Sequence, residues 1–281
     1  MTDQSDPAQP PLAPRDLPFK VDLRRIHLAV GWIAFGLPLS LVAVAWLPTV
    51  CFHDSISHFY FSPVGGDILV GALGFIGLLL VCLYSFDAAG CEGARRWTRM
   101  DILLIRLAGI ASLLVAFVPT TGTGCDRAET EGARAFLTGA EGPSFDFWAV
   151  LLGRSETTGF PLDAVHYGAA GVMFLILAYV VLRVFTRVNS EAARREGNRK
   201  SLRNGCYRVL GRMILGVVAV LGIKMIFGTV APDVLGFWNR LNLTFVLEAA
   251  GLFAFGLAWM IKGRVLPVFE DAAARAQPRA A

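Results

Sequence analysis

Apolar residues along this chain come in six blocks, at 26–50, 64–86, 102–119, 165–185, 209–230 and 241–261, and the stretches between them carry most of the charge. Each block is long enough to cross a hydrocarbon core of ~30 Å at about 1.5 Å per residue. Inside that core the backbone has no water to bond with, so a spanning block must satisfy its own N–H and C=O groups as a helix. The pattern predicts an all-α fold, an integral membrane bundle of six transmembrane helices. Pro38 lies inside the first block and predicts a kink there.

Polar and proline-rich flanks bound this domain. Residues 1–22 hold five prolines between Asp6 and Pro18 and no apolar stretch of the kind a cleaved signal peptide needs, so they read as a disordered tail. The six-helix domain is expected over 23–265, and 266–281 reads as a flexible C-terminal tail. The long connection 120–164 carries seven acidic residues against three basic ones. Its piece 145–152, FDFWAVLL, is amphipathic and aromatic, suited to lying flat on a membrane or to capping the bundle as a short packed helix.

Lysine and arginine decide the expected orientation. Arg15, Lys20, Arg24 and Arg25 precede the first span, Arg95, Arg96 and Arg99 follow the second, a cluster from Arg187 to Arg203 follows the fourth, and Lys262 and Arg264 close the sixth. The other side holds only Arg127, Arg134, Arg154 and Arg240. The positive-inside rule then puts the N and C termini in the cytoplasm and 120–164 outside. Trp46, Trp148 and Trp238 fall near the outer boundary, Trp97 at the inner one, and Trp32 and Trp259 in the inner halves of their spans, depths an aromatic belt favours.

Composition agrees with this picture and removes one partner class. The 281 residues are 55% hydrophobic and 17% charged, against roughly a quarter charged for a soluble domain. The net charge of +4 sits in the short inter-span connections as a topology signal, so no nucleic-acid partner is expected. Membrane lipids are the expected partners and the plasma (inner) membrane the expected location.

Of five cysteines, only Cys51 and Cys125 fall on the expected outer side. An oxidising exterior permits a disulfide between them. No CxxC or Cys/His zinc spacing is present.

Ionisable residues inside spans are costly and mark candidate sites. The ones singled out are Asp67, Arg106, His166, Lys224 and Glu248. Arg106 lies near an inner end and is expected to snorkel. The other four converge on the outer half, where Lys224 and Glu248 are at matching depth on consecutive helices, as a buried ion pair or a ligand-binding pair would be. Above them runs the segment 51–63, CFHDSISHFYFSP, rich in serine, histidine and phenylalanine, which predicts a loop that dips into the membrane interface. His53 in it reads as solvated. Ser57 and Asp67 are candidate catalytic residues, Tyr60, Lys224 and Glu248 candidate binding residues, and His58 and His166 candidate metal ligands. Haem is not expected, because paired axial ligands are missing.

The strings SISHFYFSPVGGDILVG at 55–71, AFVPT at 116–120, VHYGAA at 165–170, LEAA at 247–250 and FGLAWMIKG at 255–263 resemble the signature of a group of uncharacterised bacterial six-span membrane proteins. More distantly, Ser57, His58, Asp67 and His166 are similar to part of the site of the CREST membrane hydrolases, the superfamily of the alkaline ceramidases. That likeness implies zinc, with His53 or Glu248 as a further ligand, although the position four after His166 is Ala170 where that superfamily has histidine. The resulting expectation is a multi-pass membrane protein with a polar pocket in its outer half that binds a lipid or small amphiphile. The alternatives are a metal-dependent intramembrane hydrolase of lipid amide or ester bonds and a small secondary transporter.

Overall fold

A computed structural model describes residues 23–47, 50–82, 97–118, 120, 162–187, 198–228 and 232–269. Expectations placed on 1–22, on most of the 120–164 connection, on Cys91 and Cys125 and on 270–281 lie outside these residues.

The described residues are mostly helical, with no strand among them. The helices are α1 Leu23–Val44, α2 Pro63–Cys82, α3 Arg99–Phe117, α4 Leu162–Tyr179, α5 Asn198–Gly228, α6 Pro232–Arg240 and α7 Leu243–Lys262. Six stretches, one for every helix but α6 and the fourth running on past α4 to Val184, are long and apolar enough to cross a membrane. The chain is therefore built as a multi-pass membrane protein.

The span ends depart from the expected ones for local reasons. α3 starts at Arg99 because Thr98 caps it: the Thr98 hydroxyl accepts the Asp101 N–H while the Asp101 carboxylate accepts the Thr98 N–H. α1 runs through Pro38 but stops at Val44, and the chain turns at Ala45–Leu47. α5 is 31 residues long and begins far before its apolar block, because the basic stretch ahead of that block continues the same helix out of the apolar zone. α6 opens on Pro232, a residue suited to a first helical turn, and α7 is entered through Asn242 in the left-handed conformation at φ 49°. The Trp238 indole N–H donates to Thr244 Oγ1 at 2.8 Å across that corner.

Neighbouring helices close a ring in the order α1, α2, α3, α4, α5, α7 and back to α1. Glycine allows two of the tightest seams. At the antiparallel α1–α7 seam an added Cβ on Gly256 would sit 2.8 Å from the Gly31 carbonyl oxygen and the Phe35 nitrogen. At the α2–α3 seam a Cβ on Gly77 would meet the Gly109 carbonyl oxygen at 2.9 Å. Without a hydrophobic drive between helices in lipid, such close backbone contact is what holds spans together. Ser112, fully buried, adds a hydroxyl bond to the Leu73 carbonyl at 2.9 Å across the α2–α3 seam.

The ring is filled by Leu37, Leu41, Ile105, Leu177, Ile214, Phe255 and Trp259, all buried. Trp259 thus corrects the belt expectation: it is fully buried, 4.4 Å from the Phe255 ring and 4.6 Å from the Phe185 ring, whereas Trp46 at 85% exposure faces outward. The C-terminal part of α5 is poorly covered, with Ile223, Met225, Ile226 and Phe227 all exposed.

Candidate functional site

The segment from Cys51 to Ser62 leaves α1, enters the end of the bundle and forms a 3-10 turn at Ser57–Phe61 before α2. Its apolar residues drive it inward: Ile56, Phe59, Tyr60 and Phe61 are all buried. His53 is fully buried as well, its ring 4.8 Å from that of Phe59, so it is a core residue and not a solvated one. Burying this much irregular backbone requires polar partners for it.

Glu248 on α7 supplies two of them. Its carboxylate accepts the Ser55 hydroxyl at 2.9 Å and the Ile56 N–H at 2.6 Å. The Phe245 N–H, one of the unbonded donors in the first turn of α7, donates to the Asp54 carbonyl at 2.8 Å. The Ser55 hydroxyl oxygen in turn accepts the Ser57 N–H at 3.2 Å.

Ser57 is then joined to His166 on α4, with Oγ and Nε2 2.9 Å apart. The other ring nitrogen, Nδ1, is 2.6 Å from the Val118 carbonyl at the end of α3. A carbonyl only accepts, so Nδ1 carries the proton and the Nε2 lone pair takes the Ser57 hydroxyl proton. Ser57 keeps 9% exposure and His166 1%, which makes the hydroxyl the more accessible of the two. A continuous chain of bonds therefore runs from Glu248 through Ser55, Ser57 and His166 to Val118, linking α7, the 51–62 segment, α4 and α3.

The remaining candidates stand around this chain. His58 Nδ1 donates to Asp54 at 2.6 Å, and that bond holds the Asp54 carboxyl below its ordinary range against the opposing effect of burial. Lys224 does not pair with Glu248, which finds its partners in the 51–62 segment; the Lys224 charge is felt at a distance at both Asp54 and Glu248. Tyr60 is buried with its ring 5.4 Å from that of Phe61. Asp67 is exposed on α2 and takes no part in the bonds that join Ser57, His166 and Glu248. Cys51 is disulfide-bonded, and Cys125, its expected partner, lies outside the described residues.

Among the described residues no three His, Cys, Asp or Glu side chains gather as a metal would require. His166 has both nitrogens engaged and His58 is bound to Asp54, so this set does not fit zinc.

Sequence reasoning did not find a second buried polar group, at the opposite end of the bundle. Asp101, fully buried on α3, accepts the Tyr179 hydroxyl at 2.9 Å and both guanidinium nitrogens of Arg187. The Thr98–Asp101 spacing of a capping box was the available signal, but it announced a helix start and not an ion pair.

Comparison with protein-family models, with curated proteins and with solved structures finds no match to this chain.

Proposed function

We propose that this multi-pass membrane protein binds a lipid or small amphiphile at the 51–62 end of the bundle and cleaves an ester or amide bond in it, with Ser57 as nucleophile and His166 as base. The observation that carries the reading is the 2.9 Å Ser57–His166 contact in the one tautomer that can accept the serine proton. A nucleophile in hydrogen-bond reach of a base, with the base oriented by a third group, is the arrangement acyl transfer needs.

In this mechanism His166 Nε2 takes the Ser57 proton as Oγ attacks the carbonyl carbon. The Val118 carbonyl stabilises the imidazolium that results. That proton then passes to the leaving alcohol or amine, and an acyl group remains on Ser57 until water, deprotonated by the same histidine, removes it. Glu248 acts as a positioning residue, because it fixes Ser55 and Ile56 immediately before the nucleophile.

The site end is the exoplasmic one in this proposal, at the plasma (inner) membrane, with the termini in the cytoplasm. Two independent features support that orientation. Basic residues concentrate at the far end, and Cys51 at the site end is disulfide-bonded, which an oxidising compartment allows.

The test is covalent labelling of the detergent-solubilised protein by a fluorophosphonate. Labelling of Ser57, lost in Ser57→Ala and reduced by about 100-fold or more in His166→Ala, is expected from the size of general-base effects. A folded protein that takes no label refutes the hydrolytic step. Co-purified lipid in that unlabelled protein would leave the binding half of the proposal standing.

A further inference from the structure

A cleft of about 790 Å³ opens between α4 and α5 at the end opposite Ser57. Tyr179, Arg183, Arg187, Arg208 and Arg212 line it. Arg208 and Arg212 are four apart on α5 and share a face. Arg183 sits in a turn of π-helix, Val180–Val184, that ends α4, an irregularity common at functional sites. α4 and α5 approach closely here: a Cβ on Gly211 would come within 2.4 Å of Leu182 Cγ, so any larger residue at 211 must displace the Leu182 side chain.

The charge in this cleft is unbalanced. Asp101 is committed to Arg187, and Arg183, Arg208 and Arg212 have no acidic partner among the described residues. All three are exposed into the cleft. Gathering like charges costs energy unless an anion joins them, and guanidinium forks match phosphate oxygens in pairs. Beside the cleft, Val209 at 63% and Met213 at 43% exposure offer the apolar surface that acyl chains require.

We propose that this cleft is a binding site for the phosphate head group of an anionic phospholipid in the leaflet on the arginine side, with its acyl chains lying along α5. Arg183, Arg208 and Arg212 hold the phosphate, and Asp101 fixes Arg187 at the cleft wall. This site is separate from Ser57 and His166 and does not depend on hydrolysis there.

The test uses the full chain in nanodiscs of phosphatidylcholine with phosphatidylglycerol, released into detergent and examined by native mass spectrometry. Phosphatidylglycerol is expected to be retained over phosphatidylcholine by the unmodified protein. Arg208→Gln, Arg212→Gln and Arg183→Gln should each weaken retention about fivefold, the effect expected per basic residue near a lipid surface. Arg208→Lys with Arg212→Lys, which keeps the charge but loses the paired forks, should keep part of it, and Arg106→Gln, which lies outside the cleft, should keep all of it. Equal retention of the two lipids by the unmodified protein overturns the proposal, and this comparison needs no variant to fold. A second arm adds inorganic phosphate to the delipidated protein. Thermal stabilisation by phosphate with no preference for phosphatidylglycerol would assign the cleft to a soluble anion and overturn the lipid site.

Discussion

The carboxylate of Glu248 receives the backbone N–H of Ile56 at 2.6 Å, joining the first third of the last span to a loop almost two hundred positions earlier in the chain. That contact leaves Glu248 bound to backbone and to a serine hydroxyl, and it places the 51–62 segment where Ser57 can reach His166.

Removing that acceptor should cost the fold as well as the site. Glu248→Ala leaves the Ile56 N–H and the Ser55 hydroxyl unpartnered at a buried position, a loss of about 2–4 kcal/mol if each orphaned donor costs its usual amount. Glu248→Gln keeps one acceptor oxygen and should lose about half as much. Thermal unfolding in detergent, followed by the loss of the monodisperse peak, measures both. Equal melting of Glu248→Ala and the unmodified protein would show that the loop is held by other means.

The α1–α7 seam makes a sharper packing prediction. Gly256→Ala forces a methyl against backbone atoms at 2.8 Å and should destabilise by about 1–3 kcal/mol, as overpacking does. Gly36→Ala, on α1 where nothing lies within 4 Å, should be neutral or slightly stabilising because alanine is the better helix former. The pair is read by thermal unfolding under one set of conditions, and a neutral Gly256→Ala contradicts the close seam.

Asp101 and Arg187 should couple strongly. Asp101→Asn strips a partly buried guanidinium of its counter-charge and should cost about 3–5 kcal/mol, the usual penalty for breaking a buried pair. Adding Arg187→Gln should restore part of that loss. A double-mutant cycle in denaturant or heat measures the coupling, and simple additivity would remove the pair from the account of this end of the bundle.

Acid should weaken the 51–62 segment through Asp54. Its carboxyl titrates lower in the folded protein than in the unfolded chain because His58 bonds to it. The folded state therefore binds fewer protons. The stabilisation is fully present above the unfolded carboxylate value of ~3.9 and is lost as pH falls through the folded value. His58→Gln should flatten the loss of melting temperature below about pH 4. An unchanged acid slope would argue against the His58–Asp54 bond.

Cys51 should be found in a crosslinked peptide with Cys125 on non-reducing mass mapping of aerobically purified protein, while Cys82 and Cys206 alkylate freely. Recovery of Cys51 as a free thiol would withdraw the support that the disulfide lends to the proposed orientation.

Six apolar blocks were legible from the pattern along the chain alone, because hydrocarbon imposes the same length and the same backbone constraint on every span. That His166 and Glu248 would need polar partners was legible for a similar reason: polar groups at membrane depth are costly unless paired. Who their partners are was not. Lys224 and Glu248 matched in depth, yet depth says nothing about which way two helices are rotated, and Glu248 turns to Ser55 and Ile56. Asp67 matched in depth too, and α2 carries it on its exposed side. Trp259 had the depth of a belt residue and the rotation of a core residue. The sequence by itself determined the number of spans, their approximate limits and the depth at which their polar residues lie, all one-dimensional consequences of hydrophobicity along the chain. Only the tertiary structure decided the ring order, the glycine seams, the Ser57–His166 contact and the arginine cleft, because each depends on the rotation of one helix against another, and that is set by packing between side chains far apart in sequence.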